Sequence, residues 1–389
     1  MANLVGTPVH TQTSGRGPSA APVTVPDRGV AVMADLLHLT ADLVEIASVS
    51  HDEERITAVI EARLRAIPWL TVDRVDRNLV ARTDLGRGQR IVLAGHTDTV
   101  PPNGNERARI DGDVLWGLGA ADMKSGLAVL LELAATVDEP TVDVTYVFYE
   151  CEEVASRFNG LRKLLSARPE LLRADAAILC EPTSAVIEAG CQGTLRAVLT
   201  VNGTRAHTAR AWMGRNAIHR LAPVLDRIAA WPARRPVIDG CEFHEGMQAV
   251  KIEGGVAGNV VPDRSAVTIN HRFAPDRSIE EATATVRSVI GLDVLDDDAT
   301  FEVVDAAGGA LPSLHHPLLA SLAASVAEPP RAKLGWTDVS FFAAHGIPAV
   351  NFGPGDPTIA HTAGEFVHRS EIERVHTRLR ALVMDPSSP

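Results

Sequence analysis

Leu115-Trp-Gly-Leu-Gly-Ala-Ala-Asp-Met-Lys-Ser-Gly126 runs from a glycine-rich turn into an apolar segment and carries one acid, Asp122, among small residues at its pivot. Glycines ahead of a helix make a tight turn or, in Gly-x-Gly-x-x-Gly loops, cradle the phosphates of a dinucleotide. Here Asp122 stands where the third glycine belongs, and its carboxylate would repel phosphate. A dinucleotide-binding dehydrogenase is therefore set aside. What remains is either a plain turn or an acid that a backbone stripped of bulk brings up to a cation. The stretch alone does not choose between these two, and the flanking sequence must.

On both sides of the loop, short apolar runs alternate with helical periodicity. Asn78–Arg82 and Arg90–Ala94 precede it, and Val142–Tyr149 and Asp175–Cys180 follow it, each reading as a strand. Apolar residues at helical spacing predict helices over Ala31–Ile46 and Glu53–Ile67, and after Asp122 a helix with Leu127, Leu130, Leu131 and Ala134 on one face. This order predicts an α/β domain: a mixed, largely parallel sheet flanked by helices, with its site beyond the carboxyl ends of the strands. From about Gly190 the texture changes to Thr194–Val201, a helix over Asn216–Ala230, strand-like Ala266–Phe273 and a helix over Ile279–Ile290. Such a pattern predicts a small two-layer α+β unit with one sheet face and its edges open to a partner. After about Val304 the buried texture returns, with a helix over Pro317–Val326 and a strand over Pro348–Phe352. The expected division is a disordered, Gly/Pro/Ser/Thr-rich tail over 1–30, a catalytic domain from 31–189 and 305–389, and an inserted unit over 190–304.

A formal charge of -12 on 389 residues, with no basic run, excludes nucleic acid and anionic membrane surfaces as partners. No apolar segment reaches the roughly 18–20 residues needed to span a bilayer, and the N-terminus lacks a signal pattern, so the expected location is the cytoplasm. Cys151, Cys180, Cys191 and Cys241 form no Cys-x-x-Cys pair and are expected to stay reduced.

The strand before the loop ends in Gly95-His-Thr-Asp-Thr-Val-Pro101. In extended chain, residues two apart face the same way, so Asp98 is expected to hold the far nitrogen of a metal-bound His96. Glu150-Cys-Glu-Glu153 follows the next strand, Glu181 tips a third, and His361 follows the last strand and a Gly-Pro-Gly turn. Counting gives His96, Asp122, Glu153, Glu181 and His361 as ligands, with Glu152 left over. Imidazoles and carboxylates without thiolate suit zinc, cobalt or manganese in a catalytic site, and five ligands serve two ions if one carboxylate bridges them.

These motifs, His-Thr-Asp-Thr-Val-Pro (96–101), Gly-x-Gly-Ala-x-Asp-Met-Lys-x-Gly (117–126), Glu-Glu (152–153), Glu-Pro-Thr (181–183) and the late His361, together resemble the M20 family of di-zinc aminoacyl hydrolases. The resemblance covers nearly the whole chain past the tail. It implies that Asp122 bridges two zinc ions through a cis Asp122–Met123 peptide. It further implies that His96 and Glu181 complete one ion site, that Glu153 and His361 complete the other, and that Glu152 is the general base. The inserted unit resembles the family's dimerisation lid, which implies a homodimer in which His207, in Gly203-Thr-Arg-Ala-His-Thr208, stabilises the oxyanion in the partner's site. Asn259 and Arg272 are then expected at the substrate, with Arg196 as a second cation for its carboxylates. Gly335-Trp-Thr-Asp338, including Gly335 and Thr337 as substrate contacts, and Val350–Asp356 are most similar to desuccinylases of actinobacterial type. The substrate so implied is a small N-acyl amino acid, N-succinyl-L,L-diaminopimelate, hydrolysed in lysine and diaminopimelate biosynthesis. Acetylornithine deacetylases, aminoacylases and carboxypeptidases of the family are the alternatives. Two departures are Cys151, where Asp is common, and Thr-Ala-Gly-Glu365 after His361, in place of Lys-x-x-Glu.

Overall fold

A computed structural model describes residues 35–292, 295 and 298–385. The expected tail over 1–30 lies outside these residues. The first described helix begins at Leu36, where the Asp35 carboxylate accepts from the Leu37 and His38 N–H groups and caps it; the part of the expected helix over 31–34 lies outside the described residues.

The central sheet has eight strands in the order Thr71–Val75, Asn78–Arg82, Asp143–Tyr149, Arg90–His96, Ala176–Leu179, Ala349–Asn351, Glu188–Ala189 and Arg331–Ala332. Its four middle strands are parallel, and an antiparallel hairpin closes one edge. Consecutive residues of the middle strands face opposite layers. Ile91 and Leu93 pack with the helices Leu36–Val44, Glu54–Arg65, Ser125–Thr136 and Arg369–Met384, while Val92 and Ala94 pack with Gly160–Ala167 and Val339–Ala344. Burial on both faces explains why these strands are continuous apolar runs. The helix Ser125–Thr136 departs from the expected single apolar face. Ala128, Val129, Leu133 and even Glu132 are buried as well, because the helix lies between the sheet and the helices Leu36–Val44 and Arg369–Met384.

The segment Gly193–Ala307 forms a separate four-stranded antiparallel sheet in the order Gly246–Gly254, Arg264–Phe273, Gly193–Asn202, Ala299–Ala307. The helices Ala217–Ala229 and Ile279–Ile290 share its apolar core. Two of these strands escaped the sequence reading. In Gly246–Gly254 only Met247 is buried, so no alternation marks this edge strand, and Ala299–Ala307 likewise has no buried residue. The two ends of the segment meet at one antiparallel bridge, where Cys191 and Ala310 exchange N–H···O bonds of 3.0 Å. A small third sheet pairs Val114–Trp116, which leads into the glycine loop, with Phe366–His368 and with Arg109–Asp111. Among the described residues no helix is long and apolar enough to cross a membrane.

Candidate metal centre and active site

The parallel strands deliver their next residues to one end of the sheet. His96 is the last residue of Arg90–His96 and is buried, with Nε2 3.1 Å from Asp122 Oδ1. Asp122 sits where the chain turns from the glycine loop into the helix Ser125–Thr136. Gly119 has φ 78° there, and the Asp122–Met123 peptide is cis. Close packing requires the small residues: a Cβ on Gly126 would stand 2.4 Å from the Cys180 carbonyl oxygen. His361, at φ 63°, brings Nε2 to 2.8 Å from Glu153 Oε1 and 3.5 Å from Asp122 Oδ2. His96, Asp122, His361 and Glu153 thus make a continuous run of ligand atoms. Those of His96, Asp122 and Glu153 lie within 4.8 Å of one another.

Glu181 follows the strand Ala176–Leu179 and is buried, and its Oε1 finds no hydrogen-bond partner among the described residues. Burial pushes its carboxyl up to about 8; His96 opposes the rise, while Asp122 and Glu153 add to it. Glu152 is raised well above the carboxylate range by burial and then by the Glu181 charge. Burial works against charge on Asp122 too, but its bonds to His361 and His96 hold it well below its ordinary value. The same bonds lift the histidines: His361 to about 10 through Asp122 and Glu153, and His96 upward against its burial through Asp122 and Asp98. An orphaned buried carboxylate oxygen, crowded acids and two imidazoles aimed at carboxylates form a donor set for divalent cations of the zinc, cobalt or manganese kind. The residues fit the metal.

Asp98 faces the far nitrogen of His96 as expected and has further partners. The nearer acceptor for His96 Nδ1 is the Asp98 backbone carbonyl, at 3.0 Å, with the carboxylate at 3.5 Å. Past the strand end at His96 the chain stays tied down, with Thr97 N donating to the Tyr149 carbonyl and Thr99 bridging Val49. The Asp98 carboxylate also accepts from Ser50 Oγ at 2.7 Å, Glu152 N at 3.0 Å and Glu153 N at 3.1 Å, fixing the acidic loop. Next to that loop, Cys151 donates from N and Sγ to Glu53 Oε1. Burial pushes its thiol up to about 12, so the position is neutral. Glu53 and Glu150 are both buried here, with Arg77 and Lys163 as their counter-charges. An Asp at 151 would add a third negative charge.

Thr337 was expected to contact substrate, but it is turned into the fold, donating to Asn351 Oδ1 at 3.0 Å. Gly335 lies in the exposed part of the same loop. On the smaller sheet, His207 and Asn259 come together where Ala206–His207 pairs with Val260–Val261 and Thr208 N donates to the Asn259 carbonyl at 3.0 Å. Arg196 lies opposite Asn270 and Arg272 opposite Thr194, placing both cations on one sheet face. Arg196 is paired with Asp305 at 3.1 Å, whereas Arg272 has no ion-pair partner among the described residues and is half-buried. No hydrogen bond or ion pair among the described residues joins these four to the five ligands. The sequence reading missed Asp338, buried, accepting from Asn159 Nδ2 at 2.8 Å and electrostatically coupled to Glu152. It also missed Glu365, whose carboxylate accepts from the N–H groups of Gly119, Ala121 and Asp122.

This fold and site define a metal-dependent amidohydrolase. Residues 92–385 match peptidase family M20/M25/M40, and the chain belongs to that family. It is 55% identical over 335 residues, 86% of this chain and 93% of the other, to a Mycobacterium tuberculosis protein assigned as a succinyl-diaminopimelate desuccinylase. With the succinyl-diaminopimelate desuccinylase of Corynebacterium glutamicum it shares 46% identity over 343 residues, 87% of this chain and 93% of that one. Among solved structures, an aminopeptidase of Bacillus cereus has the same fold, with a TM-score of 0.76 at 21% identity, covering 92% of this chain and all of that one.

Proposed function

We propose that the chain hydrolyses the amide bond of N-succinyl-L,L-diaminopimelate to succinate and L,L-diaminopimelate, a step of lysine and diaminopimelate biosynthesis in the cytoplasm. The observation that carries this reading is near-full-length identity of 55% to a protein of that assigned activity, combined with an intact ligand set and Glu152 beside it. His96 and Glu181 would hold one zinc ion, Glu153 and His361 a second, with Asp122 between them and cobalt or manganese as substitutes. Bound there, divalent ions lower the pKa of water from about 15.7 towards 7 and polarise an acyl carbonyl.

Glu152 takes the proton of the attacking water and returns it to the departing amine. Asp98 keeps Glu152 and Glu153 in register by holding both of their N–H groups. Residues 190–304 form a lid through which two chains pair, the edge strand Gly246–Gly254 being open to a second copy. His207 of the partner subunit then steadies the oxyanion, and Asn259 orients the substrate. Arg272, without an acid of its own, receives a substrate carboxylate as a planar bidentate donor. Arg196, paired with Asp305, stands on the same face as a second donor.

The test is a comparison of kcat/KM on N-succinyl-L,L-diaminopimelate and N-acetylornithine with metal-loaded protein. A preference for the succinyl substrate of at least a hundredfold is expected. Equal or reversed values would assign the chain to another activity within the family.

A further inference from the structure

Three backbone N–H groups of the glycine loop converge on one point. Gly119 N lies 3.1 Å from Glu365 Oε2, and Ala121 N and Asp122 N lie 2.9 and 3.0 Å from Glu365 Oε1. Successive amides arranged this way make a concavity that binds anions, the same device by which glycine loops hold phosphate. Here the anion is internal: Glu365 is 2% exposed and fills the concavity from behind. Its backbone is tied to the same loop, since Gly117 N donates to the Glu365 carbonyl at 3.1 Å and the next residue, Phe366, pairs with Trp116. A carboxylate buried this deeply is costly unless its lone pairs are satisfied. Here three amides satisfy it.

We propose that Glu365 is a positioning residue that locks the loop carrying His361 to the loop carrying Asp122, so that the ligands of the two ions are set by one clamp. The inference rests on the metal reading of this site. Glu365 is not itself a ligand. It stands four residues beyond His361 and grips the amide of Asp122, so the short segment 361–365 fixes one ligand directly and another through its backbone. Loss of the clamp frees the Asp122 backbone while leaving every donor atom of the metal site in the chain.

The experiment titrates cobalt(II) into metal-free, full-length protein, following calorimetry and visible absorption, for the wild type, Glu365→Ala, Glu365→Gln and His361→Ala. Glu365→Ala should weaken cobalt binding by about 10–100-fold, the usual cost of losing an outer partner of a metal ligand. Added formate should recover most of that affinity in Glu365→Ala by entering the vacated amide concavity, and should not help His361→Ala. Glu365→Gln keeps one acceptor but sets an NH2 against an amide N–H, so it should fall between the wild type and Glu365→Ala without responding to formate. Should Glu365→Ala fail to fold by far-UV circular dichroism, Glu365→Gln decides, and wild-type cobalt affinity in that variant overturns the proposal. Wild-type affinity in folded Glu365→Ala, or a loss that formate does not repair, overturns it equally. A wild-type protein that binds no cobalt sinks the metal reading and this inference with it.

Discussion

Asp98→Asn isolates the job of one carboxylate. Asp98 is buried, with Oδ1 accepting from Glu152 N and Oδ2 accepting from both Ser50 Oγ and Glu153 N. Asparagine has the same shape and keeps an oxygen for the Glu152 N–H, and the Ser50 hydroxyl can turn to accept from the new NH2. The Glu153 N–H cannot turn, and it faces a donor. One orphaned buried N–H costs about 1–3 kcal/mol, and the bond that remains loses its charge assistance, about 1 kcal/mol more. The sum is about 2–4 kcal/mol, relieved only if the loop bearing Glu152 and Glu153 shifts. If that misplacement falls on the transition state, kcat drops by about 30- to 1,000-fold. Urea denaturation gives the stability loss, and steady-state turnover at saturating metal gives the rate. A variant with wild-type midpoint and kcat within twofold of wild type would refute the claim that Asp98 positions the acidic loop.

Glu152→Gln should keep both metal ions by elemental analysis while kcat falls about 10²–10⁴-fold, the usual worth of a positioned acid–base group. Chelation should abolish turnover and lower Tm, and zinc should restore both at about two ions per chain; full activity after chelation would contradict the metal assignment. Mixing His207→Ala chains with Glu152→Gln chains should recover part of the activity, because one site in the hybrid dimer has both groups intact, and well-formed hybrids without activity would exclude a shared site. Asp143 gives a pH test away from the centre. Burial alone would raise its carboxyl, but N–H bonds from Leu85 and Arg87, the Thr83 hydroxyl and Arg90 outweigh it and lower it. A depressed carboxyl stabilises the fold above its unfolded value near 3.9, and that contribution is lost as pH falls through the folded value. Asp143→Asn should therefore lower Tm at pH 7 and lose this deficit towards pH 3, and a deficit constant with pH would be against it.

The middle strands were legible because burial on both faces writes itself as unbroken runs such as Ile91–Ala94, and the ligands were legible because they stand where those runs stop. What the sequence hid has no local signature. Gly246–Gly254 is exposed along nearly its whole length, so neither alternation nor an apolar run marks it. Glu365 works through amides more than 240 residues earlier in the chain, a relation that exists only once Phe366 pairs with Trp116. The spacing of His96 and Asp98 correctly joined them, with the carboxylate 3.5 Å from Nδ1, but nothing in it showed that the same carboxylate holds the Glu152 and Glu153 amides more than 50 residues away. Thr337 read as a substrate contact, but it is buried and its hydroxyl donates to Asn351. The glycine loop read as a plain turn or a cation site, and its amides prove to hold an internal anion, the Glu365 carboxylate.

The bridge between Cys191 and Ala310 has a consequence for how the two parts of the chain communicate. Everything from Gly193 to Ala307 leaves and re-enters the central sheet through a mouth one residue pair wide. The excursion is also held back against the central sheet, because Cys241, Phe243 and Ala274 pack into the core that Ile91 and Leu93 share with their helices. On the proposed reading, substrate choice and amide cleavage then communicate through one backbone bridge and three buried side chains.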